Sequence, residues 1–251
     1  MTIAGSDSSG GAGIQADLKA FSAAGVYGMS ALVALTAQNT VGVRAVHEVP
    51  AEFVREQLDA VFDDVGVDAA KTGMLFSTEI IETVAEYIAD HPVPLVVDPV
   101  MVASSGARLL EPEAADALVH KLFPLATVVT PNVYEARALV GAGTRAEQAE
   151  RIVELGAHAA IVTGGHGDPV DHLFDGREHV EIPVTRYDSG ATHGAGCTHS
   201  ATLAALLARG EPLVVAARGA AVAAGRAVAA GLSELGAGDG PVDVLDLKGA
   251  A

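Results

Sequence analysis

Residues 69–101 read AAKTGMLFSTEIIETVAEYIADHPVPLVVDPVM. A short apolar run at 69–72 stops at Gly73, residues 78–90 carry a helical pattern, and a second apolar run at 95–97 stops at Asp98-Pro99. This is a strand–helix–strand unit, and strands joined by a crossover helix lie parallel. The same alternation extends outward on both sides. It predicts strands at residues 30–37, 127–130 and 159–163, with a short one at 2–4. It predicts helices at 12–24, 51–64, 113–122, 133–140 and 145–155. Two Ala-rich helices follow at 198–208 and 213–232. Residues 172–174 and 179–182, around Asp175-Gly176, read as a polar hairpin or edge strands. Neither a linker nor a repeat interrupts the pattern. The expected fold is one α/β domain over residues 1–251, with a central, mostly parallel sheet flanked by helices on both faces.

Composition narrows the function. One Cys in 251 residues rules out a disulfide framework and a thiolate zinc cluster. The net charge of −17, without any Lys- or Arg-rich block, argues against nucleic acid as a partner. Residues 20–43 carry no formal charge, but Ser22, Gly25, Gly28, Ser30, Gln38 and Asn39 interrupt them. They read as helix end, turn and buried strand rather than a membrane span. No basic leader opens the chain. The expectation is a soluble cytoplasmic protein with no membrane partner. Acids number 32 against 15 bases, only four of which are Lys. Such a surface suits a high-salt cytoplasm, although GC-rich codon usage gives the same Arg and Ala bias.

In open parallel sheets, ligands bind beyond the carboxyl ends of the strands. Five polar or Gly-rich strand ends gather there: Gln38-Asn39-Thr40, Thr72-Gly73-Met74, Asp98-Pro99-Val100-Met101, Thr130-Pro131-Asn132 and Thr163-Gly164-Gly165-His166. Two glycine loops add to them. The first, residues 4–13, opens a helix bearing Asp17. The second, Thr192-His193-Gly194-Ala195-Gly196-Cys197-Thr198, opens another. Successive amides from Gly194 to Cys197 at a helix start would form an anion hole. Cys197 in the first turn is expected to have its thiol pKa lowered by the helix dipole. No Walker A loop is present. Gly11 to Ala16 match the dinucleotide fingerprint only loosely, and the acid an NAD enzyme needs after its second strand is missing. The nine His residues show no zinc spacing; His193 is read as shaping the second loop.

Seven runs, in order, resemble the hydroxymethylpyrimidine/phosphomethylpyrimidine kinases of thiamine biosynthesis, in the ribokinase-like superfamily. They are residues 2–19, 37–40, 71–75, 98–102, 130–135, 164–166 and 192–197. The resemblance implies transfer of the ATP γ-phosphoryl to 4-amino-5-hydroxymethyl-2-methylpyrimidine, then to its monophosphate. It implies Mg²⁺, admits a monovalent cation beside it, and implies a homodimer. By position, Asp17 and Gln38 would hold the pyrimidine's amino group and ring nitrogens, with Gly11, Ala12, Met74 and Val100 around the ring. Gly194, Ala195, Gly196 and Cys197 would form the catalytic hole. Asn132, Glu135, Thr163, Gly165 and His193 would face ATP, with Asp98 and Glu135 toward the metal. The chain departs from the family pattern at Thr163 and Ser104, where the family commonly has Lys; phosphate charge then falls more on metal and amides. A pyridoxal-type kinase of the same superfamily and a weakly catalytic ligand sensor remain as alternatives.

Overall fold

In this computed structural model, residues 1–102, 106, 109–111, 113–165 and 167–248 are described, so Ser104 and His166 lie outside the described residues. Thr2, Ile3 and Ala4 are fully buried. Strand β1 (Thr2–Asp7) is therefore an inner strand and longer than the stub expected at residues 2–4. After helix α1 (Gly13–Ala23), β2 (Ser30–Gln38) lies parallel to β1. The chain then turns back antiparallel as β3 (Val43–Glu48). Helix α2 (Ala51–Asp64) crosses to β4 (Ala70–Thr72), which pairs with the other side of β1. Parallel strands are added in sequence order by α3 (Thr78–Asp90), β5 (Leu95–Val97), α4 (Ala114–Ala117), β6 (Val128–Val129), α5 (Val133–Val140), α6 (Arg145–Glu154) and β7 (Ala160–Val162). Antiparallel β8 (Val170–Phe174) and β9 (His179–Pro183) close that edge, before α7 (Ala195–Ala208) and α8 (Leu213–Ala229). The sheet order is β3-β2-β1-β4-β5-β6-β7-β8-β9.

The two-residue strand period sorts the core into two layers. Leu95, Val97, Val129, Ala160 and Val162 face one side, where Val54 and Leu58 of α2, Ile80, Ile81 and Val84 of α3, and Ile152 of α6 pack. Val96, Val128 and Ile161 face the other, against Phe21 of α1, Leu203 of α7 and the Ala-rich face of α8. Every residue of α7 from Thr198 to Ala205 is buried. Its small and apolar residues, Ala201, Leu203, Ala204 and Ala205, pack into the core, while Ser200 finds a polar partner in Asp98.

Differences from the sequence reading have local causes. Strand β3 was not expected, because its six residues VRAVHE are half-buried or exposed and carry no apolar run. The helix expected over 113–122 is one short α-turn that widens to a π-type turn at Leu118–Leu122 and tightens to a 3₁₀ turn at Phe123–Leu125, where Pro124 has no N–H to continue it. Helix α8 stops at Ala229, before Gly231. Among the described residues no helix is long and apolar enough to cross a membrane.

The chain leaves β1 toward β2 on one side and returns as β4 on the other. That reversal opens a crevice beyond the carboxyl ends of β1 and β4. The first turns of α1 and α7 meet there, which only glycine allows. Gly194 sits at φ 85 and Gly13 at φ 57; a Cβ on Gly194 would strike the Gly11 carbonyl oxygen, and one on Gly13 the Gly5 carbonyl oxygen. Gly194→Ala should therefore cost more than the ~1–2 kcal/mol of a left-handed backbone alone. Urea unfolding would show this, and an unchanged midpoint would contradict the packing.

Candidate active site

The crevice is a cleft of about 1000 Å³ running from Gln38 at the end of β2 to residues 163–165 beyond β7. Asp7 organises its first wall. Its Oδ1 accepts from the N–H and hydroxyl of Ser9, and its Oδ2 from the N–H groups of Gly11 and Ala12. His193 Nε2 sits 2.8 Å from the same Oδ2. The opposed burial notwithstanding, these bonds hold the Asp7 carboxyl below its usual range.

Under the floor lies a buried cation. Lys71, on β4, is fully buried, with Nζ 3.0 Å from both carboxylate oxygens of Asp17 and 3.9 Å from Asp98 Oδ2. Burial disfavours its charge, but the carboxylates of Asp17 and Asp98 outweigh that and hold it protonated. Thr2 completes Asp17 by donating to Oδ2 at 2.6 Å. Asp17, expected to hold the pyrimidine, is instead fully buried with Lys71 and Thr2 on its oxygens and does not line the cleft. Lys71 is the residue the site reading missed. Its signal was a charged side chain inside the apolar run at 69–72, which requires a buried acid nearby.

Cys197 is in the first turn of α7, with the Gly13 N–H directed at its sulfur and Lys71 close by. Both favour the thiolate, yet burial dominates, with Asp17 and Asp98 adding to it, and pushes the thiol up to about 12. These causes oppose the lowering expected from the helix dipole and favour the protonated thiol. The hole is also narrower than expected. The Ala195 N–H is bonded to the Thr192 carbonyl at 3.0 Å, which leaves the Gly194, Gly196 and Cys197 amides without a backbone partner.

Further along, Asn132 and Glu135 form a capping box at the start of α5: Asn132 Oδ1 accepts from Tyr134 and Glu135 N–H, and Glu135 Oε2 from Asn132 N–H. Burial and the neighbouring Asp98 charge push the Glu135 carboxyl up to about 8. Asp98 Oδ2 accepts from the Ser200 hydroxyl at 2.9 Å. Gln38, Ala12, Met74, Val100, Asn132, Glu135, Thr163 and Gly165 all line the cleft as expected. Gly11 does not; its amide serves Asp7, and a Cβ there would strike the His193 ring. His193 lines the cleft but is tied to Asp7 at the end of β1, four strands from Thr163, and so lies at the Gln38 end rather than the expected ATP end.

Amides at a helix N-terminus and carboxylates lining one cleft beyond the strand ends of an open parallel sheet are the parts a small-molecule kinase uses. Residues 7–243 match the family described as phosphomethylpyrimidine kinase. A hydroxymethylpyrimidine/phosphomethylpyrimidine kinase of Rhizobium meliloti (strain 1021) is 51% identical over 252 residues, covering 96% of this chain and 95% of that one. An ADP complex of Bacillus subtilis pyridoxal kinase superposes with a TM-score of 0.89 at 41% identity, covering 98% and 97%. Phosphomethylpyrimidine kinase from Clostridium difficile 630 gives 0.78 at 41% identity, covering 88% and 95%. The chain belongs to the phosphomethylpyrimidine kinase family and is a phosphotransferase.

Two outcomes test this geometry. Lys71→Met strands two buried carboxylates and should lower stability to urea by ~3–5 kcal/mol, with Asp17→Asn added to it recovering part of the loss; a neutral single variant would refute the buried pair. Cys197 is the sole cysteine, so alkylation by iodoacetamide reports it alone. With the thiol near 12, the rate should rise about tenfold per pH unit from 7 to 9. A plateau below pH 8 would mean a thiolate is present after all.

Proposed function

We propose that the chain transfers the γ-phosphoryl of ATP to the hydroxymethyl oxygen of 4-amino-5-hydroxymethyl-2-methylpyrimidine, and then a second to the resulting monophosphate. One observation carries this reading: Gly196 and Cys197, whose amides have no backbone partner, line the same cleft as Ala12, Met74 and Val100 and as Asp98 and Glu135. Ala12, Met74 and Val100 pack on the heterocycle. The Thr36 hydroxyl donates to the Ser6 carbonyl at 2.8 Å, with the Gln38 side-chain amide 3.2 Å away and lining the cleft, where it can meet the ring nitrogens. The nucleotide lies toward Asn132, Thr163 and Gly165.

Phosphoryl transfer asks for positioning and charge neutralisation more than for a strong base. A thiol that keeps its proton is compatible with that. Cys197 contributes its amide and a sulfur that fixes the hydroxymethyl group, and the two amides take up charge on the moving group. Removing one such donor costs about 10²–10³ in rate.

Asp98 and Glu135 fit Mg²⁺. Burial and the Asp98 charge raise the cost of ionising Glu135, a strain that a divalent cation beside them would relieve. Among the described residues no group of three or more His, Cys, Asp or Glu could hold a metal by itself. That also suits Mg²⁺, which takes one or two carboxylates together with phosphates and water. The ion supplies neutralisation of phosphate charge. A monovalent cation would add to it. We place the enzyme in the cytoplasm as a homodimer, for which light scattering is the direct test.

The likeness to pyridoxal kinase structures makes pyridoxal the competing acceptor. A coupled ATP assay with Mg²⁺ should show higher kcat/KM for the hydroxymethylpyrimidine than for pyridoxal; the reverse order overturns the assignment. Gln38→Ala should raise KM for the pyrimidine roughly tenfold while KM for ATP stays put.

A further inference from the structure

At the nucleotide end of the cleft lies a pair of side chains that the reaction above does not use. His199, one turn into α7, and Asp171, the second residue of β8, are 5% and 2% exposed, and both line the cleft. Asp171 is half engaged: its Oδ1 accepts the Gly164 N–H at 2.6 Å. Its Oδ2 lies 3.3 Å from His199 Nε2. Neither that oxygen nor either ring nitrogen of His199 has an aligned hydrogen-bond partner. Buried polar groups are rarely left so. An imidazole and a carboxylate at contact distance but out of alignment, in a ligand cleft, form a contact that tightens when the ligand is bound.

The two residues sit on the two elements that face polyphosphate. His199 belongs to the helix whose first turn offers the Gly196 and Cys197 amides. Asp171 holds the turn at residues 163–165, which is packed so closely that a Cβ on Gly164 would strike the Val170 backbone. That turn is fastened on its other side by the bond from Thr163 N–H to the Pro131 carbonyl, next to Asn132. Ser200 already ties α7 to Asp98. His199 provides the second tie, across to β8.

We infer that His199 is a positioning residue for the nucleotide: its contact with Asp171 locks the start of α7 to the 163–165 turn, so that both close on the phosphates of ATP together. This rests on the placement of ATP at the ends of β6 and β7 given above. The test uses the full chain with His199→Leu, which removes the donor, and His199→Gln, whose amide nitrogen reaches about where Nε2 stands. ADP and pyrimidine dissociation constants by calorimetry, KM and kcat, and the thermal midpoint are measured for each. Leu should weaken ADP and raise KM for ATP roughly tenfold, leave pyrimidine affinity within about twofold, and Gln should restore most of the loss. Unchanged ADP affinity in the Leu variant overturns the inference. So does equal weakening of both ligands in step with the thermal midpoint, or a Gln variant no better than Leu. If Leu does not fold, His199→Asn, polar but too short to reach Asp171, is expected to show the same loss. Wild-type protein that binds no adenine nucleotide would instead sink the ATP placement itself.

Discussion

A lysine ammonium held dry between two carboxylates governs this site. Lys71 reaches from β4 to Asp17 on α1 and toward Asp98 beyond β5, while Thr2 of β1 and Ser200 of α7 complete the two acids. Five elements thus converge on one charge cluster directly beneath the catalytic floor. Burying such charges is expensive, and the cluster persists only with all its partners in place. Its consequence is geometric. The first turns of α1 and α7 are held against each other beside the cleft.

The same cluster sets the chemistry above it. Cys197 feels Lys71 on one side and two carboxylates on the other, and with burial the balance keeps its proton on. Amides that need no protonation state then carry the work of meeting phosphate charge. Asp98, at the edge of that cluster, also bears on Glu135 and raises the cost of ionising it, which a divalent ion would offset. One charge arrangement accounts for a neutral thiol, an amide hole and a metal-seeking pair.

Much of the cleft was legible in order along the chain. Strand ends followed by Gln38, Met74, Val100, Asn132 and Thr163 were recognisable because a buried parallel strand is a short apolar run and its exit is polar. What misled was the reading of single residues by type. Asp17 resembles a substrate ligand until Lys71, 54 positions away, is found against it. His193 looked like a nucleotide residue because it adjoins the anion loop, but Asp7, 186 positions away, claims its ring. Cys197 sits where a helix dipole acts, yet desolvation and the carboxylates of Asp17 and Asp98 push its thiol the other way.

The amino-acid sequence by itself determined the strand and helix alternation, the glycines at the two helix starts and the polar strand exits, since these follow from local period and backbone freedom. Tertiary structure alone decided which acid meets which base, how deep the thiol lies, and that His199 stands across from Asp171. Those outcomes depend on desolvation and on distances between residues far apart in the chain, and neither quantity exists until the sheet has brought them together.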